Sequence, residues 1–254
     1  MRISSENKKI VIFSDVHQNI DKFTEIIAHE KADINICLGD WFDSHFFDSD
    51  VDCKSTAVTL KEDFLSKDNN ITLFGNHDLH YLFDNKHAQC SGYGSNKHFL
   101  INEALGEEKA DIVNKFHWFL FVDEYLCTHA GLNSRFLSPI IKNNEEIHQY
   151  LTNQSNEANV KIRTNQPHWF YGAGYARGGS QEKGGIVWLD FDREFAPIEG
   201  LNQIVGHTYR KNNKITEWRN TNNYCIDTDL SEWVTITNGK FEIKNYNDHI
   251  RYAI

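Results

Sequence analysis

The chain contains no Cys-x-x-Cys pair, and its five cysteines, Cys37, Cys53, Cys90, Cys127 and Cys225, are odd in number, so no disulfide framework is indicated. Cys37, Cys127 and Cys225 fall in apolar, strand-like runs and read as small buried hydrophobes. Proline is scarce as well. Pro139, Pro167 and Pro197 do not cluster into a linker, and no internal repeat or low-complexity tract divides the sequence. Residues 1–254 are therefore expected to form a single domain, with 40% hydrophobic and 13% aromatic residues to fill its core. Basic charge is in deficit too. A formal charge of -10 argues against a nucleic-acid partner, which calls for a basic face or stripe. Carboxylates that hold divalent cations would offset part of that charge locally, which leaves a short anionic substrate open. Long apolar runs are also missing. The polar start MRISSENKK leads into KKIVIFSD, too brief for a signal peptide or a membrane span, so a reducing cytoplasm and no membrane partner are expected.

What recurs instead is a short apolar run that stops abruptly at a polar residue able to ligate a metal: IVIFSDVH, INICLGD, ITLFGNHD, YLCTHAG and IVGHT. Between the first runs, Phe23, Ile26 and Ile27 predict a helix over 19–31 that packs on a sheet, with Asn19 or Asp21 as its cap. Ala57, Leu60 and Phe64 repeat the pattern over 54–66. This strand and helix alternation is the logic of parallel βαβ units, in which ligands sit outside the carboxyl ends of the strands. Residues 84–118 and 141–185, the latter with a loop-like GAGYARGGS, read as loops or helical insertions that border the site. Near the end, WVTIT, Asn238-Gly239 and KFEIKNY predict a β-hairpin, because Asn-Gly accepts the positive φ of a tight turn.

Each polar group is weak evidence alone. Asp15 and His17 stand two apart, so an extended geometry would put them on one face, yet such a pair means little in a chain with 13 histidines. Asp40 and Asp43 in GDWFD follow Gly39, which allows a tight turn and fits a simple strand-ending Asx turn equally well. Asn76, His77 and Asp78 follow the third run, and His129 and His207 end two later ones. Jointly the weighing reverses. Strand ends that deliver Asp, His, Asp, Asn, His and His form an oxygen and imidazole set suited to two borderline divalent ions. The set has no thiolate, which argues against a structural zinc site.

The ordered motifs DVH, GDWFD, GNHD, THAGL and GHT resemble those of calcineurin-like metallophosphoesterases, and particularly the branch with Ser/Thr phosphoprotein phosphatases and symmetrical diadenosine tetraphosphate hydrolases. The likeness runs from residue 15 to about residue 228 as separated motifs. GNHDLH is closer to the dinucleoside tetraphosphatases, since the protein phosphatases usually carry Glu in place of Asp78, and YCIDTDL with Asp227 resembles their late segment. The resemblance implies an α/β fold: a two-sheet β-sandwich flanked by helices, with a β-rich C-terminal part. It implies that Asp15 and His17 hold a first metal, that Asp40 bridges both, and that Asn76, His129 and His207 complete the second. Manganese is the leading choice, with iron or zinc as alternatives. His77 becomes the proton donor to the leaving oxygen and Asp43 fixes its far nitrogen.

One departure matters. The branch commonly has Arg-Gly after the second motif, where this chain has Ser44 and His45, so a phosphate clamp is missing there. Arg177 in YARGGS is the best substitute, and Arg210 after GHT the second choice. Trp41 or Phe42 either stacks a nucleobase or, more simply, packs beneath the metal loop. The spacing of His80, His87 and His98 supports no third metal, and they read as loop or surface residues. The leading expectation is hydrolysis of a phosphomonoester or phosphoanhydride by a metal-bridging hydroxide, with a nucleotide polyphosphate favoured over a phosphoprotein. A Ser/Thr protein phosphatase is the alternative, and a non-catalytic metal-binding scaffold a third reading from another class.

Overall fold

The computed structural model describes residues 1–44, 46–138, 140–141 and 143–249, so His45, named above beside the missing clamp, lies outside the described residues. In chain order the strands and main helices are β1 (Arg2–Ile3), β2 (Lys9–Phe13), α1 (Ile20–Glu30), β3 (Ile34–Cys37), α2 (Asp50–Val58), β4 (Asn70–Leu73), α3 (Asn76–Leu82), α4 (Ser95–Leu105), α5 (Lys109–Asn114), β5 (Phe116–His117), β6 (Leu120–Val122), β7 (Tyr125–Cys127), α6 (Asn144–Arg163), β8 (Asn202–Val205), β9 (Thr216–Glu217), β10 (Asn223–Cys225), β11 (Glu232–Thr237) and β12 (Lys240–Asn245).

Alternation along β2 shows why the chain forms a sandwich. Ile10 and Ile12 point into one apolar cluster and Val11 and Phe13 into another, so both faces of the strand are covered. The first cluster lies between two six-stranded sheets, of order β12-β11-β2-β3-β4-β5 and β1-β6-β7-β8-β10-β9. Strands β2, β3, β4 and β5 run parallel, as do β7, β8 and β10. Helices cover the outer faces, which matches the flanked two-sheet architecture that the motifs imply.

Local signals behave as their chemistry dictates, with two corrections. In α1, Phe23 and Ile26 are buried and Ile27 packs against them, but Asn19 at the cap makes no side-chain capping bond and Asp21 lies within the first turn. Helix α2 begins before residue 54, because Ser49 and Asp52 form a capping box, and it runs into a π-helical stretch over Thr59–Phe64 that buries Leu60 and Phe64. The two regions read as loops or helical insertions hold α4 and α5 in one case and the 20-residue α6 in the other. Asn238 and Gly239 have φ of 49° and 74° and join β11 to β12, the hairpin predicted there. No helix among the described residues is long and apolar enough to cross a membrane.

Candidate metal centre

Five strand ends meet at one edge of the sandwich. Asp15 and His17 follow β2, Asp40 follows β3, Asn76 opens α3 after β4, His129 follows β7 and His207 follows β8. Glycines let these turns touch. A Cβ on Gly75 would sit 2.1 Å from Asp40 Oδ1, and one on Gly206 would sit 2.3 Å from Asp15 Oδ1. The Asp15 and His17 pair does not share an extended face. His17 has φ of 43°, and the N–H groups of Val16 and His17 both donate to the Asp40 carbonyl at 3.0 and 2.8 Å, so the pair is closed by a turn. Likewise Asn76 and His77 leave by the first turn of α3 rather than along a strand, and the helical step separates their directions.

The donor atoms then fall into two groups that share one carboxylate, Asp15 with His17 and Asp40, and Asp40 with His129 and His207. His17 Nε2 lies 3.7 Å from Asp15 Oδ2 and 3.9 Å from Asp40 Oδ2, while His129 Nε2 lies 3.3 Å from Asp40 Oδ2 and 3.1 Å from Asn76 Oδ1. The far nitrogens are tied down. His17 Nδ1 meets the Phe42 carbonyl and His129 Nδ1 the Leu38 carbonyl, each at 3.0 Å, which fixes the tautomer that leaves Nε2 free to ligate. Asp78 organises the backbone around them, accepting N–H bonds from Asp40, Trp41 and Gly75 at 2.8, 2.8 and 3.0 Å.

Divalent cations fit this set. His207 Nε2 is buried without a hydrogen-bond partner, and burial together with the neighbouring His129 holds that imidazole well below its ordinary value. A neutral imidazole with an unused lone pair is a ligand in waiting. Burial depresses the His129 imidazole too, but the Asp40 and Asp15 carboxylates outweigh it and lift it to about 9, so the pocket calls for positive charge. Asp227 after β10 is buried nearby, and burial with the Asp15 charge pushes its carboxyl well up.

Next to the two groups stands a denser hydrogen-bond cluster than the motifs suggest. Asp43 Oδ2 meets His77 Nδ1 at 2.9 Å and His80 Nε2 at 2.8 Å, while Oδ1 accepts from Tyr81 Oη and Lys97 Nζ, both at 2.6 Å. Burial would raise this carboxyl, but the surrounding donors outweigh it and hold it well below the carboxylate range. His80 is thus no surface residue, being buried between Asp43 and Cys90. Its i+3 position from His77 on α3 was the available signal. Lys97 comes from α4 and nothing in sequence ties it to Asp43.

A hollow of about 480 Å³ opens over the centre, lined by His17, Asp40, Asn76, His77 and His207 together with Cys90, Arg177 and Trp188. Arg177 lies on the turn Tyr175–Arg177, with Nε 2.9 Å from Asp190 Oδ2 as an ion pair without hydrogen-bond alignment and Nη2 donating to Thr208 Oγ1 at 3.2 Å. Arg210 is not brought to the hollow. It is buried in a two-pronged pair with Asp192 at 2.9 and 2.6 Å, and its Nε donates to the Thr208 carbonyl, so its donors are spent on structure. Trp41 and Phe42 are fully buried beneath the loop, and the aromatic at the hollow is Trp188, which the sequence did not single out. Another hollow, of about 440 Å³ beside α1, is lined by Asn19, Lys22 and Tyr246 and by none of the strand-end ligands, so the chemistry belongs to the first.

Carboxylates and imidazoles that call for divalent cations, together with the family match, place the protein among metal-dependent phosphoesterases. The family model for calcineurin-like phosphoesterases matches residues 8–211, and the chain belongs to that family. No curated protein matches the chain. Among solved structures, the cold-active protein-tyrosine phosphatase of a psychrophilic Shewanella species is 15% identical with a TM-score of 0.62, over 97% of this chain and 80% of that one. A serine/threonine phosphatase from Saccharomyces cerevisiae is 11% identical with a TM-score of 0.54, over 96% and 82%. These likenesses are likenesses of fold.

Proposed function

We propose that the protein hydrolyses phosphomonoester or phosphoanhydride bonds with two divalent ions held by its own side chains, and that a nucleotide polyphosphate of the dinucleoside tetraphosphate kind is its preferred substrate. The observation that carries the reading is the placing of Asp40 in both donor groups. Asp15 and His17 hold the first ion, Asn76, His129 and His207 the second, and Asp40 both, with manganese preferred over iron or zinc. When bound, the ions supply an acidified water as nucleophile and positive charge against the phosphoryl oxygens.

The chain's own residues do the rest. Arg177, steadied by Asp190 and Thr208, grips a phosphoryl oxygen in place of the clamp absent after Asp43. His77 gives a proton to the leaving oxygen while Asp43 holds its Nδ1. Burial lowers the His77 imidazole, but the Asp40 charge and the hydrogen bond to Asp43 raise it well above its ordinary value, and the Asp43 bond is the contribution that remains when Asp40 holds cations.

A hollow of about 480 Å³ is of small-ligand size, and Trp188 in its wall offers a face on which a base can stack. A Ser/Thr protein phosphatase, the second reading, needs a shallow groove instead. Hydrolysis rates under manganese on dinucleoside polyphosphates, phosphopeptides, nitrophenyl phosphate and cyclic nucleotides test the choice. The dinucleotide should lead, and a phosphopeptide ahead by tenfold or more, about 1.4 kcal/mol, would give the site to the second reading.

A further inference from the structure

A third group of metal-type donors stands beside the centre, made of His77, His80 and Cys90. Cys90 Sγ lies 3.3 Å from His80 Nδ1 and 3.7 Å from His77 Nδ1. A tetrahedral ion with sulfur at about 2.3 Å and nitrogen at about 2.0 to 2.1 Å sets such donors about 3.5 Å apart, so the two spacings bracket the ideal. His80 already has the form a ligand takes. Its Nε2–H donates to Asp43 Oδ2 at 2.8 Å, and its Nδ1 lone pair, beside the Cys90 thiol, holds only a long bond from the Cys90 N–H at 3.4 Å, which an entering ion would replace. A carboxylate behind an imidazole is the arrangement that orients ligating histidines. Cys90 and His77 line the hollow, whereas Cys37, Cys53, Cys127 and Cys225 are buried, so one thiol is within reach of an entering ion. The sulfur separates this group in character from the oxygen and imidazole set next to it.

We propose that Cys90, His77 and His80 form a separate site for a thiophilic divalent cation, zinc or cadmium, whose occupancy stops proton donation by His77. The binding half stands by itself, and the inhibitory half rests on the role given to His77 above. As the ion enters, the thiol proton of Cys90 and the Nδ1 proton of His77 leave to solvent, and Sγ, His77 Nδ1 and His80 Nδ1 each give an electron pair to the ion. His77 loses its bond to Asp43. The Nε2–H that remains belongs to an imidazole no longer protonated on both nitrogens, a far weaker acid than imidazolium.

Manganese-loaded enzyme titrated with cadmium chloride tests this, followed by the ultraviolet charge-transfer band of a cadmium–thiolate bond and by hydrolysis of an alkyl phosphate. The band should grow to one equivalent while the rate falls by about tenfold or more, the scale of losing a general acid. Both responses should vanish in Cys90→Ser, each protein being compared with its own cadmium-free rate. Cadmium NMR of the wild type should report one sulfur and two nitrogen ligands, a readout independent of the variant's folding. No band, an equal band in Cys90→Ser, or an all-oxygen cadmium environment overturns the site. A Cys90-dependent band with an unchanged rate, or an equal rate loss in Cys90→Ser, overturns the inhibition. The leaving-group dependence of His77→Ala tests the donor role separately, so the two ideas fail by different results.

Discussion

Replacing His77 with Ala separates proton donation from metal binding, because the structure divides this residue between two tasks. Its backbone N–H donates to Asp40 Oδ1 at 2.8 Å, and the variant keeps that bond. Its side chain meets Asp43 through Nδ1, yet Asp43 retains His80, Tyr81 and Lys97 as partners when the imidazole is removed. The position is the second residue of α3, where Ala is well accepted. Metal content measured by plasma emission should therefore be unchanged. Loss of the acid should lower kcat by about 10² to 10⁴ on an alkyl phosphate, or roughly 3 to 5 kcal/mol. On nitrophenyl phosphate the loss should shrink, because an acidic leaving group departs without protonation. Rates of the two proteins across a series of esters with graded leaving groups give the comparison. An equal loss at every leaving group, or a variant depleted of metal, would refute the assignment and make His77 a ligand or a structural residue.

Asp40→Ala should behave differently, since it removes the carboxylate common to both donor groups: metal per chain should drop from about two to about one or fewer, and full retention would remove Asp40 from the bridge. Arg177→Ala should lower kcat/KM by about ten- to a hundredfold, roughly 1.5 to 3 kcal/mol, with little effect on folding because Asp190 keeps Arg193 at 2.8 Å; an unchanged kcat/KM would take Arg177 out of substrate binding. Arg210→Ala should instead lower the melting temperature and spare KM, as expected of a buried arginine that bonds the Thr208 carbonyl and the exposed Asp192, and a raised KM at unchanged stability would return Arg210 to the site. Burial pushes the His168 imidazole down to about 4, so its stabilising contribution is complete above its unfolded pKa near about 6.5 and is lost as pH falls from there toward about 4, on the order of 3 kcal/mol at most. Urea unfolding at about pH 7 and about pH 5 should show a smaller drop for His168→Asn, which can still accept the Phe170 N–H, than for the wild type; equal drops would mean that His168 does not drive it.

Much of this protein was legible because its signals are local. Short unbroken apolar runs such as Ile10 to Phe13 declare strands with two apolar faces, and Asn238-Gly239 declares a turn through the φ angles those residues tolerate. The order of polar residues at run ends named the family, since metal chemistry restricts the residue types that can stand there. Even so, extended geometry misjudged how Asp15 and His17 are brought together, because the left-handed His17 redirects that pair through a turn. What only the tertiary structure decided lies further apart in the chain. Lys97 reaches Asp43 from α4, Arg177 is steadied by Asp190 while Arg210 is spent on Asp192, and Cys90 meets His80 across a segment with no periodicity to read. In such segments position follows from packing against the rest of the molecule, and glycines at 39, 75 and 206 matter because of what another strand end presses against them. Residue types and their order therefore defined the family, and the packing of distant loops chose which arginine, which imidazole and which thiol stand beside the strand-end donors.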